Sequence, residues 1–168
     1  MYEVILPKGE ATLAHEHRFD SFSILFRTTE ILNEPFGADP AVVAVTVGDV
    51  LFASTADGPY SHRVSAAGKT TFHVIAMEVL TPAPAGPDAP AQPLRPPFAI
   101  LRENSRGRAY RVRLEAGEAS EAFTRAANSA LFAISSGRIS EHGGGMPARI
   151  WDFEPGHFRC STPARGSS

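Results

Sequence analysis

With one cysteine, Cys160, in 168 residues, the chain cannot form an internal disulfide, and its stability must come from a buried core. It also lacks any run of Lys or Arg. Sixteen basic residues against 18 acidic ones give a formal net charge of −2, without the concentrated positive field that nucleic acids and anionic membrane surfaces require. Long apolar runs are missing too: the longest, AVVAVTV from Ala41 to Val47, is far short of the ~20 residues of a membrane helix. The opening MYEVILPKGE has neither the basic flank nor the apolar stretch of a secretory leader. These absences lead us to expect a cytoplasmic protein with no nucleic-acid or membrane partner.

Helical periodicity is scarce as well. The best window for it, ASEAFTRAANSALFAI from Ala119 to Ile134, is read as strand because of the repeat described below. What is abundant is short runs of β-branched and aromatic residues separated by turn residues: YEVIL, FSILF, AVVAVTV, VLFA and TFHVIAMEVL. With 43% hydrophobic residues this is an all-β cadence with enough apolar content for a core. The segment from Thr81 to Pro97 carries half of the chain's 14 prolines, which favours an extended spacer and forbids sheet pairing there. The expected division is residues 1–80, a linker over 81–97, and residues 98–168.

The two parts are repeats of each other at an offset of 108 positions. Tyr2 meets Tyr110, and the register holds through Val4 and Val112, Leu6 and Leu114, Gly9 and Gly117, Ser21 and Ser129, Ile31 and Ile139, Gly37 and Gly145, and Gly48 and Gly156. No partner within the chain exists for Ser61–Leu80, so the second repeat is expected to be incomplete and the protein to assemble as a homodimer or larger oligomer through open strand edges.

Six histidines are present, two of them in GEATLAHEH, where His15 and His17 flank Glu16. In a strand, residues two apart share a face, ~7 Å apart along the backbone, so both imidazoles can converge on one metal ion while Glu16 points away. Opposite them in the second repeat stand Phe123 and Arg125, which leaves that half without the pair. His142 and His157 lie in turn-rich surroundings, and Trp151 is expected to fill the second unit's core.

Gly9, five residues, His15, Glu16 and His17 resemble the opening of the first cupin motif, G(X)5HXH(X)3,4E(X)6G. The glutamate slot falls on Ser21 or Phe22, with Asp20 one residue early. The stretch GDVLFASTADGPYSHRVSAAG is similar to the second motif, G(X)5PXG(X)2H(X)3N, with Gly48 opening it, His62 in the histidine slot and Ala66 where asparagine is usual. Its spacing is three residues too long. On two tandem units the likeness resembles a bicupin, whose fold is a double-stranded β-helix (jelly roll). The resemblance implies that His15, His17 and His62 project into one barrel and hold a divalent metal, iron(II) first, with manganese, nickel, copper or zinc as alternatives. Implied in turn is an oxygenase or related metal-assisted enzyme for a small organic acid, diketone or thiol, or else a non-catalytic ligand-binding or assembly module. Asp20 or His73 would be available for proton transfer.

His73 enters on strand alternation alone. With charged Glu78 outward, His73, Ile75, Met77 and Val79 should face the interior, and a hairpin at AAGKT would make His73 a cross-strand neighbour of His62 and a fourth group at the metal.

Overall fold

The structure, a computed structural model, describes residues 1–80, 97–123, 129–143 and 146–161, so most of the proline-rich segment and Arg125 lie outside the described residues. All regular elements among the described residues are β-strands, and no helix there is long and apolar enough to cross a membrane. The chain forms two compact units, Met1–Arg113 and Leu114–Ser168.

The first unit contains β1 (Tyr2–Leu6), β2 (His15–His17), β3 (Ser21–Leu25), β4 (Thr29–Pro35), β5 (Ala41–Val45), β6 (Val50–Ala53), β7 (Tyr60–Ala66), β8 (Phe72–Glu78) and the hairpin β9 (Phe98–Asn104) with β10 (Gly107–Val112). Two four-stranded antiparallel sheets carry the orders β1-β8-β3-β6 and β2-β7-β4-β5. Apart from the β4–β5 hairpin, strands consecutive in sequence from β1 to β8 alternate between the two sheets, which is jelly-roll connectivity. Between the sheets lie Leu6, Leu25, Ile31, Val45, Val64, Ala66, Phe72 and Val74. Each of these side chains larger than Ala66 contributes roughly 1.5–3 kcal/mol on burial.

The other face of the first sheet is buried at Phe22, Ile24 and Ile75. Here the hairpin β9–β10 packs, with Gly107 against the Phe22 ring. Arg111 donates to the Gly48 carbonyl at 2.8 Å, and Arg106 reaches Asp20 at 2.6 Å and the Val79 carbonyl at 3.2 Å. The compact-unit boundary therefore falls at Arg113 rather than after the prolines: residues 98–113 cover the first unit's sheet instead of opening the second unit.

The AAGKT segment is not a hairpin turn, which corrects the expected pairing of His62 with His73. Strand β7 pairs with β2 and β4, whereas β8 pairs with β1 and β3, so the segment crosses from one sheet to the other. It is pinned to β4, since the amides of Ala67 and Gly68 both donate to the Glu30 carbonyl at 3.0 and 2.8 Å.

In the second unit β11 (Ser129–Phe132) pairs with β14 (Phe158–Ser161), and β12 (Gly137–Gly143) pairs with β13 (Met146–Phe153). The registers match the first unit at the offset of 108. Ser129↔Ser161 and Phe132↔Phe158 mirror Ser21↔Ala53 and Ile24↔Val50, and Ile139↔Trp151 mirrors Ile31↔Val43. Gly48 and Gly156 occupy the same left-handed turn, with φ of 81° and 92°, where a side chain would be strained. Trp151 is buried beside Phe153 and under the Arg159 guanidinium. Of the window Ala119–Ile134, only Ser129–Phe132 is strand among the described residues.

A Cβ on Gly68 would lie 2.3 Å from Thr29 Oγ1 and 2.5 Å from the Glu30 amide. Gly68→Ala is expected to destabilise the fold by about 2–3 kcal/mol, seen as a lower denaturant midpoint at constant slope. An unchanged midpoint would mean that the crossing segment yields freely.

Candidate metal centre

Toward the end of the barrel beyond the apolar core, the inward positions become polar. Strand alternation turns His15 and His17 of β2 to the interior, and the antiparallel partner β7 sets His62 opposite His15 and Tyr60 opposite His17. Three imidazoles from two strands meet there, with ring centroids 4.5–5.0 Å apart. The Nε2 atom of His62 lies 3.0 Å from that of His17 and 3.0 Å from that of His15.

The outer nitrogens explain why these three face one another. His15 Nδ1 donates to the Leu13 carbonyl at 2.9 Å, and a carbonyl can only accept, so this ring carries its proton on Nδ1. Asn33 on β4 uses its Nδ2 to donate to the Tyr60 hydroxyl at 2.9 Å, leaving Oδ1 to accept from His62 Nδ1 at 2.7 Å. His17 Nδ1 lies 3.3 Å from the Tyr2 hydroxyl. Two of the three rings are thereby fixed with bare Nε2 lone pairs aimed inward. Acceptors so placed repel unless a cation lies between them, which is the donor chemistry of a divalent metal site.

The spacing suits a common ion. Two nitrogens each about 2.1 Å from one ion are about 3.0 to 3.4 Å apart at right to tetrahedral angles, and His62 Nε2 lies 3.0 Å from that of each of the other two, with all three ligating atoms within 4.8 Å of one another.

Protonation is suppressed at the same place. Burial first, and then the charges of His15 and His17, push His62 down to about 4. Burial and His15 also lower His17, while the Glu78 carboxylate pulls it the other way. Neutral imidazole, the ligating form, is what this end of the barrel favours. The Tyr2 phenol is shifted upward, by burial and then by Glu78.

His73 is not at the cluster. It sits on the other sheet, opposite Ile5, and its Nε2 pairs with Glu3 Oε1 at 2.8 Å while the ring packs on Phe26 at 4.9 Å. The inward set on β8 is Phe72, Val74, Ala76 and Glu78, one residue out of step with the expectation, and such a slip inverts the whole face. Asp20 is also engaged elsewhere. The Thr55 amide at 2.7 Å and the Arg106 guanidinium hold its carboxylate below the usual range, in a structural latch rather than near the histidines. Ser21, in the slot of the expected glutamate, is buried and faces inward. His142 and His157 are exposed. The supporting Tyr2, Asn33 and Tyr60 were not anticipated. Tyr60 could have been found as the residue two before His62 on one face, whereas Asn33 depends on the sheet order.

No protein-family profile matches the chain, and no curated protein matches it. One solved structure is similar, a cupin domain from Bordetella pertussis Tohama I, at 22% identity and a TM-score of 0.41, over 45% of this chain and 75% of that one.

Two outcomes are expected. Replacing Asn33 with Leu removes the acceptor that orients His62 and should weaken metal binding about 10- to 100-fold by competition titration; unaltered binding would show that His62 holds its orientation unaided. In chelator-treated protein, the ordinary His62 value of 6.5 against about 4 when folded means that the unfolded chain binds the extra proton between those values. Stability should therefore be full above that window and fall as pH drops through it. Thermal melts should show a shallower dependence in His62→Gln, and identical slopes would refute the assignment.

Proposed function

We propose that the first unit is a metal-binding cupin in which His15, His17 and His62 hold one divalent ion, iron(II) first. The observation that carries this reading is the convergence of three Nε2 atoms with their Nδ1 atoms held from behind. A three-imidazole set is neutral, so a bound ion would keep its full charge and act as a Lewis acid toward an anionic or chelating small molecule. A small organic acid, diketone or thiol fits that requirement, and an oxygenase or related metal-assisted reaction is the enzymatic form of the reading. Asn33 and Tyr60 orient His62, Leu13 orients His15, and burial favours the unprotonated form of His17 and His62. The second unit is read as a degenerate repeat of the first, supported by the shared strand registers, and as metal-free, since Phe123 stands opposite His15 at the repeat offset.

One observation favours a second reading, ligand binding without turnover. Asp20 and His73, the two groups considered for proton transfer, are tied to Arg106 and Glu3 away from the histidines.

Elemental analysis of loaded protein should give about one ion per chain, lost in His62→Gln and retained in His73→Gln. Two ions, or retention after His15→Ala with His17→Ala, would reject the one-site assignment. Oxygen uptake by iron-loaded protein against small acids, diketones and thiols separates the two readings: uptake supports the enzyme, and binding without uptake supports the module.

A further inference from the structure

The first barrel has two lateral edges, and they differ. On one stand β1 and β2, spanned by the Tyr2 hydroxyl 3.3 Å from His17 Nδ1. On the other stand β5 and β6, each the last strand of its sheet and joined only by the connection Thr46–Asp49. Inward residues are exposed on that second edge. Val43 is paired with buried Ile31, and Leu51 lies in one row with Ser23 and Ala76, so strand pairing turns both toward the interior. Each is nevertheless 37% exposed, against 2% for Val45 further along β5. Apolar side chains that face inward and still meet solvent mark the barrel as open along this edge, closing toward the core at Val45.

One inward row of the first sheet leads from the histidines to that edge. It passes through Tyr2, Ala76, Ser23 and Leu51 by successive pairings, three strand spacings or about 14 Å in all. Its two middle members are an alanine and a serine, so the row is low between the Tyr2 ring and Leu51 and forms a trough. The far end is apolar as well as open, because neither β5 nor β6 carries a charged residue. The trough therefore starts beside three neutral imidazoles suited to a cation and ends on exposed valine and leucine.

We infer that this trough holds the unbranched apolar tail of a ligand whose anionic head sits at the metal centre. The inference rests on the metal-centre reading above and narrows its substrate class to aliphatic acids. A neutral three-imidazole set leaves positive charge for the head. Methylene groups laid over Ala76 and Ser23 as far as Leu51 and Val43 would remove apolar surface on both sides from water. Leu51 and Val43 thus select for tail length at a distance from the head.

Cobalt(II)-loaded full-length protein at pH 7.5, titrated with straight-chain carboxylates from acetate to octanoate, reports binding through the visible cobalt bands. Affinity should rise about 2- to 4-fold with each added methylene. The ratio of octanoate to acetate affinity, taken within one protein, cancels any change at the metal itself. That ratio should drop about 10-fold or more in Leu51→Asp, which puts a charge at the open end, and in Ser23→Leu, which raises the floor. Val43→Asp serves in place of either variant that does not fold. Affinity that fails to rise with chain length in the parent protein, or a ratio that these variants leave unchanged, would overturn the inference. If the parent protein binds no cobalt, the metal reading falls. Octanoate added to the same protein, 15N-labelled, should then still shift the Val43 and Leu51 amides where acetate does not, and unshifted amides would overturn the trough as well.

Discussion

The antiparallel pairing of β2 with β7 is the contact on which the rest of the centre depends. It places His15 directly opposite His62, though they are far apart in sequence, and alternation along β2 then brings His17 to the same interior face. Nothing else in the barrel need move for three imidazoles to meet. Strand β2 is only three residues long, so its register is held by neighbours: the Thr12 amide donates to the Val64 carbonyl at 2.9 Å, and Ala11 bridges to Ser65. A slip of one residue would put Glu16 inside and both histidines outside.

The barrel is divided along its length. At one end Leu25, Val45, Phe72 and Val74 are buried in an apolar core, and at the other Tyr2, Asn33, Tyr60 and the histidines face each other. Apolar burial supplies the favourable free energy. The polar end costs some of it, because lone pairs are aimed together in a half-buried setting where acceptors without donors are unfavourable. The packing of Gly68 on Glu30 and the Asp20–Arg106 latch hold the scaffold firm from outside that end.

Much of the fold is legible in the sequence. Short β-branched runs between turn residues mark the strands, and the HxH spacing marks a shared face. The position of His73 was not readable, for a physical reason: β8 is buried on both sides, with Phe72 and Val74 against the opposite sheet and Ile75 buried on the other face. A strand apolar on both faces has no hydrophobic alternation to reveal its orientation. The charge of Glu78 then misled, since it faces a polar interior and not solvent. Asn33 escaped notice because its position beside His62 follows from β4 lying next to β7, and sheet order is not written in local periodicity.

The second unit repeats the strand registers of the first, down to the left-handed glycine of one turn, while Phe123 takes the place of a histidine. Pairing geometry and chemical equipment are thus separable in this chain. The former resides in spacing, turn glycines and apolar alternation, which many substitutions leave intact; the latter resides in a few side chains whose exchange does not disturb those rules. A scaffold of this kind can therefore exchange a histidine for a phenylalanine at an inward position without giving up the strand pairing around it.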